Sequence, residues 1–133
     1  MHLGRRPQEP TDEVVLAYYR RLLAALSRPV FHDGVWRQVE PREAWAGNTT
    51  YLHFVAGRWA LETEFRLTAA NLSGARAQCY LPLELPELAG RAWLLRDLLS
   101  EARYERDGDR LLSPGLYLDV PAYGHHLFEI TPL

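Results

Sequence analysis

Apolar positions along the 133-residue chain follow a helical period at the start and an alternating one afterwards. From Thr11 to Ser27 they recur three and four residues apart, the spacing of a helix that buries one face. Thr11 is placed as its N-cap, Asp12 and Glu13 stand where the helix dipole favours negative charge, and Pro29 ends it. Projected down the axis, Val15, Tyr18, Tyr19, Leu22 and Leu26 share a face, which Val14, Leu16 and Leu23 widen towards half the circumference. An arc that wide calls for cover on two sides, one from this chain and one from outside it.

After Pro29 the period becomes two, with turn signals at short intervals. Val35 to Val39 after Asp33-Gly34, Tyr51 to Ala56, and Phe65, Leu67 and Ala69 give three strands. Ser73-Gly74 then predicts a hairpin into Ala77, Cys79, Leu81 and Leu83. Trp93 to Leu99, a second hairpin around Asp107-Gly108, Leu116 to Val120 and His126 to Ile130 complete about eight short strands, the number of a β-sandwich. The expected fold is mostly β: an antiparallel sandwich of Greek-key type preceded by one α-helix. Its expected divisions are a linker-like lead over 1–10, the helix over 11–28 and the sandwich over 30–133.

Composition narrows the function. Fifteen arginines and no lysine face 17 acidic residues, without the basic stripe that nucleic acid requires. No apolar stretch suits a signal peptide or a membrane span, so a cytoplasmic protein is expected, without a membrane partner. The single Cys79 excludes an internal disulfide and a cysteine-based zinc site, and its place in an alternating strand predicts a buried thiol.

The order of the segments resembles the C-terminal end of α-amylase-family glycoside hydrolases, where the last helix of the catalytic barrel runs into an antiparallel domain. The run Ala17 to Leu26 followed by Pro29-Val30-Phe31-His32-Asp33-Gly34-Val35-Trp36 is similar to the family's final helix and its exit into the first strand. Leu67 to Ser73, ending Asn71-Leu72-Ser73, resembles a strand of that domain. So do Leu88 to Trp93 with Asp97-Leu98-Leu99-Ser100, and the closing turn Pro121-Ala122-Tyr123-Gly124. The family's catalytic aspartates and glutamate have no counterpart here, so the resemblance implies a non-catalytic part of such an enzyme and supplies no catalytic residue.

The residues by themselves agree. Glu62 with Glu64, and Glu105 with Asp107 or Asp109, have the proximity of a glycosidase pair but the setting of solvated charges. His125 and His126 point to opposite faces of one strand, so with Glu129 they make no metal site, and Asp107-Gly108-Asp109 lacks the remaining ligands of a calcium loop. No metal or other cofactor is expected. The aromatic segment Trp45, Asn48, Tyr51 and Trp59 is the candidate carbohydrate site, against a reading in which Trp36, Trp59 and Trp93 fill the core and Trp45 pins its loop. Two roles follow. One is a structural domain whose helix face, Val14, Tyr18 and Leu22, packs on a catalytic (β/α)8 barrel or a second copy of the chain. The other is an independent module that binds an α-glucan.

Overall fold

The structure, a computed structural model, describes residues 10–133, with side chains from Glu13 onwards. The lead over 1–9 and the capping side chain of Thr11 lie outside the described residues. Helix α1 (Pro10–Leu26) is followed by a one-turn helix α2 (Val30–Asp33), with Pro29 at its N-cap. Pro29 therefore starts a helix as well as following one, its fixed φ suiting a first turn.

Among the described residues, eight strands form two antiparallel sheets. Strands β1 (Val35–Val39), β2 (Phe54–Leu61), β3 (Glu64–Asn71), β8 (His125–Pro132), β5 (Ala92–Asp97) and β6 (Arg103–Asp107) lie in that order in the larger. The smaller pairs β4 (Ala77–Leu81) with β7 (Leu116–Val120). Alternation sends Phe65, Leu67, Leu95, Phe128 and Ile130 inward from the large sheet to meet Ala77, Cys79, Leu81, Leu116, Leu118 and Val120 from the small one. This is the sandwich expected from the strand pattern. Each fully buried Leu, Ile or Phe contributes about 1.5–3 kcal/mol, so the stability resides between the sheets.

Three local expectations differ. Ser73-Gly74 does not close a hairpin: β3 and β4 stand in different sheets, and the turn carries the chain across the core. Both strands have a fully apolar face, and opposite sheets let both be buried at once. The true hairpins are β2–β3, turning through Glu62 at φ 55°, and β5–β6, turning through residues 98–102. Asp107-Gly108 likewise opens a short helix, α3 (Gly108–Leu112), and the glycine is required there because the backbone carbonyls of Leu88 and Arg91 leave no room for a side chain at 108. The second strand begins at Phe54, after a single 3-10 turn over Thr50–His53.

The sequence motifs turn out to be fastenings between these parts. Asn71, fully buried, donates from Nδ2 to the carbonyls of Ala75 (2.8 Å), Val120 (3.1 Å) and Pro121 (3.1 Å), and its Oδ1 accepts from the Ser73 amide (3.0 Å). It thus ties β3 to the end of β7 in the opposite sheet. The Trp93 indole donates to the Leu88 carbonyl (2.9 Å). The Asp97 carboxylate receives the Leu99 amide (3.0 Å) and His126 Nδ1 (2.8 Å).

Candidate functional site

Helix α1 lies on the outer face of the large sheet. Tyr18 hydrogen-bonds His125 Nε2 on β8, their rings meeting edge to face at 5.6 Å. Arg21 donates from Nε to the Leu98 carbonyl (2.8 Å) and from Nη2 to that of Ser100 (2.9 Å), both in the β5–β6 turn. Leu22, Ala25 and Leu26 are half-buried on the same side. Tyr18 and Leu22, expected to face an outside partner, are thus turned towards this chain's own sheet, while Val14, 72% exposed, is free. The uncovered row runs through Leu16, Tyr19 and Leu23, exposed by 50, 54 and 65%, with Val15 along its edge. These positions stand three and seven residues from the first, as one stripe of a helix requires. The wide arc therefore exists, with one flank covered and one bare.

The aromatic segment is not assembled into one site. Asn48 is buried and spent on its own loop: Oδ1 accepts the Ala44 amide (3.1 Å) and Nδ2 donates to Thr50 Oγ1 (2.9 Å), which in turn receives the Gln78 amide of β4 (3.0 Å). Trp59 stands on the outer sheet face, edge-on to Phe31 of α2 at 4.9 Å between ring centres. Tyr51 packs partly on the core and lines a shallow hollow of about 450 Å³ with Glu40, Arg42 and Glu43. Trp45 projects from the loop, half-exposed. Trp36 is not a core residue either. It pairs across the strands with Trp59 and lays its indole over Gly57, where any side chain would collide with it, leaving the ring half-exposed. Only the register of β1 on β2 discloses that position; of the three tryptophans read as core, Trp93 alone is fully enclosed.

Of the acidic pairs, Glu62 occupies the β2–β3 turn and Glu64 is engaged by Arg28 (3.0 Å) and Arg66 (3.3 Å), which hold its carboxyl below the ordinary value. His125 and His126 do point apart, the first to Tyr18 outside and the second inward to Asp97. Burial alone would raise the Asp97 carboxyl, but hydrogen bonds from His126 and the Leu99 and Leu127 amides outweigh it and lower the pKa. His126 borders a hollow of about 170 Å³ with Tyr104, Arg106, Tyr117 and Asp119. No serine or cysteine lines that hollow. Cys79 lies within the core, where burial pushes its thiol up to about 12, so it is no nucleophile. Among the described residues, no group of three His, Cys, Asp or Glu could hold a metal, and no helix is long and apolar enough to cross a membrane.

No family model matches the chain, and no curated protein does. Among solved structures, it is similar to a GH27 β-L-arabinopyranosidase from Geobacillus stearothermophilus in complex with arabinose. The TM-score is 0.49 at 17% identity, over 75% of this chain and 20% of the enzyme. The chain thus spans about a fifth of that protein's length, and a likeness of this degree assigns it no family.

Proposed function

We propose that the chain is a non-catalytic accessory domain of an α-amylase-type carbohydrate-active enzyme, held against a catalytic (β/α)8 barrel by the outer flank of α1. The bare row Leu16, Tyr19 and Leu23, on a helix whose other flank is docked on the sheet, carries the reading. Burying three such side chains contributes several kcal/mol, at about 1.5–3 kcal/mol each, and an exposed continuous apolar stripe is characteristic of an interaction surface. The carbohydrate setting rests on the order of the sequence motifs. Those motifs act as fold fastenings, which suits a domain whose task is support. The non-catalytic assignment is supported by one of the candidate acidic pairs, with Glu62 in a turn and Glu64 paired to arginines.

Light scattering and hydrophobic-dye binding on the purified chain test the docking face. The expected result is self-association or dye binding that Leu23→Asp abolishes; a monomer that ignores the dye and the substitution alike refutes it. A second reading, a sugar-binding module, is favoured by the projecting Trp45 and by Tyr51 beside Glu40 and Glu43. Affinity electrophoresis through soluble starch decides that one: retardation lost in Trp45→Ala would replace the accessory role with glycan binding, and unchanged mobility leaves the accessory role standing.

A further inference from the structure

On the covered side of α1, between helix and sheet, is a hollow of about 500 Å³ lined by Arg21, Arg28, Arg66, Arg96 and a single acid, Glu129, with Ala24, Ala25 and Leu98 as its apolar wall. The arginines come from two separate parts: Arg21 belongs to α1 and Arg28 follows it directly, whereas Arg66 is on β3 and Arg96 on β5.

Their carboxylate partners do not suffice. Glu64 is shared between Arg28 (3.0 Å) and Arg66 (3.3 Å), and Glu129 between Arg96 (2.7 Å) and Arg66 (3.4 Å). Three guanidinium groups therefore draw on two carboxylates. The fourth, Arg21, has only Glu101, at 3.3 Å and almost wholly in solvent, where a charge pair counts for little. The middle cation is the costly one. The Arg66 side chain is 3% exposed, its two carboxylate contacts are both long, and its Nε has no hydrogen-bond partner. A guanidinium withdrawn from water needs close compensation, and here, although Nη1 also donates to the Phe65 carbonyl (3.0 Å), that compensation is incomplete.

We infer that this hollow binds a small oxyanion: a phosphate group, free or carried on a sugar. A phosphate presents several acceptor oxygens to the flat forks of arginine, the pairing that guanidinium groups make best. It would neutralise the surplus charge and, by spanning Arg21 and Arg28 on one wall and Arg66 and Arg96 on the other, fasten α1 to the sheet. A ligand that binds only the docked arrangement stabilises it by mass action, so occupancy would control how firmly α1 is held. The inference is independent of the bare flank of the helix, which faces the other way.

The test is calorimetric titration of the purified chain with inorganic phosphate and with glucose 1-phosphate at low ionic strength, chloride being the reference anion. Saturable binding is expected, weakened about tenfold or more in Arg96→Gln by loss of a charge-assisted contact. Arg76→Gln, whose arginine pairs with Asp119 on the other sheet, should bind as the parent does. Phosphate should also slow tryptic cleavage after Arg20. Equal affinity for the two ligands would mean that the bare anion is recognised, and tighter binding of the ester that its sugar is also contacted. Absence of saturable binding, or identical affinity in Arg96→Gln and Arg28→Gln with their melting temperatures retained, would overturn the inference.

Discussion

Replacing Asn71 by alanine tests whether the motif residues hold the two sheets together. The amide gives its protons to three carbonyls, those of Ala75, Val120 and Pro121, and its oxygen takes the Ser73 amide, all at 2.8–3.1 Å around a fully buried side chain. A neutral hydrogen bond contributes about 1 kcal/mol net, and a buried partner left unsatisfied costs about 1–3 kcal/mol. The Ala75 carbonyl lies at an exposed turn and can recover water, whereas that of Val120 is at a buried residue. The expected loss is therefore about 2–4 kcal/mol, a large share of the 5–15 kcal/mol typical of a domain. In a chain of this size it lowers the melting temperature by roughly 10 °C. Urea unfolding followed by tryptophan fluorescence measures it, with an unchanged denaturant slope showing that the folded state is the same. Asn71→Asp sharpens the test. Its carboxylate would point at three carbonyl oxygens, so the loss at neutral pH should exceed that of alanine and shrink in acid, where the carboxyl regains a proton to donate. A loss below about 1 kcal/mol in the alanine variant, or an aspartate variant no worse than alanine, would refute the argument.

Other perturbations address the remaining features. The Asp97 carboxyl titrates below its ordinary value in the folded chain, so its contribution is present above the unfolded pKa and is lost as pH falls through the folded one. Asp97→Asn should therefore flatten the decline in stability below about pH 4 seen in urea titrations. Cys79, held in the core with its pKa pushed up to about 12, should resist a thiol reagent at neutral pH and react at the rate of global unfolding, measured by adding denaturant. Gly57→Ala should displace the Trp36 indole from the strand, shifting tryptophan emission to longer wavelength at a stability cost of about 1 kcal/mol or less, as befits an exposed ring.

Alternation and turn chemistry made the strands legible because both are local. Val35–Val39 and Leu116–Val120 have the bounds expected of them, and His125 and His126 part as period two requires. Strand partners were not legible, since an apolar face shows only that a strand has a core side. Ser73-Gly74 has the residues of a hairpin, but its loop is closed by Asn71, whose reach to Val120 is a contact 49 residues away. The real β2–β3 hairpin bends at Glu62, a residue without the usual turn signature. At the candidate sites the same division holds. The breadth of the α1 apolar arc could be read from spacing, but which half the sheet would cover depended on where Tyr18 and Arg21 found partners. Asn48 has the side chain of a ligand-binding amide, and only the fold shows it consumed by Ala44 and Thr50.

The position of β8 has a consequence for how this sheet comes into being on the ribosome. This last strand lies between β3 and β5, so until residues 125–132 emerge, β1-β2-β3 and β5-β6 are separate ribbons, each showing an unfilled edge. Assembly of the sheet is therefore postponed to the end of synthesis of this segment, and the interval before it is when a nascent chain is most exposed to wrong partners. A stall or a stop codon ahead of His125 would yield two open half-sheets, a form that quality control must remove, where the same loss from an outer strand such as β1 would leave the remaining ladder continuous.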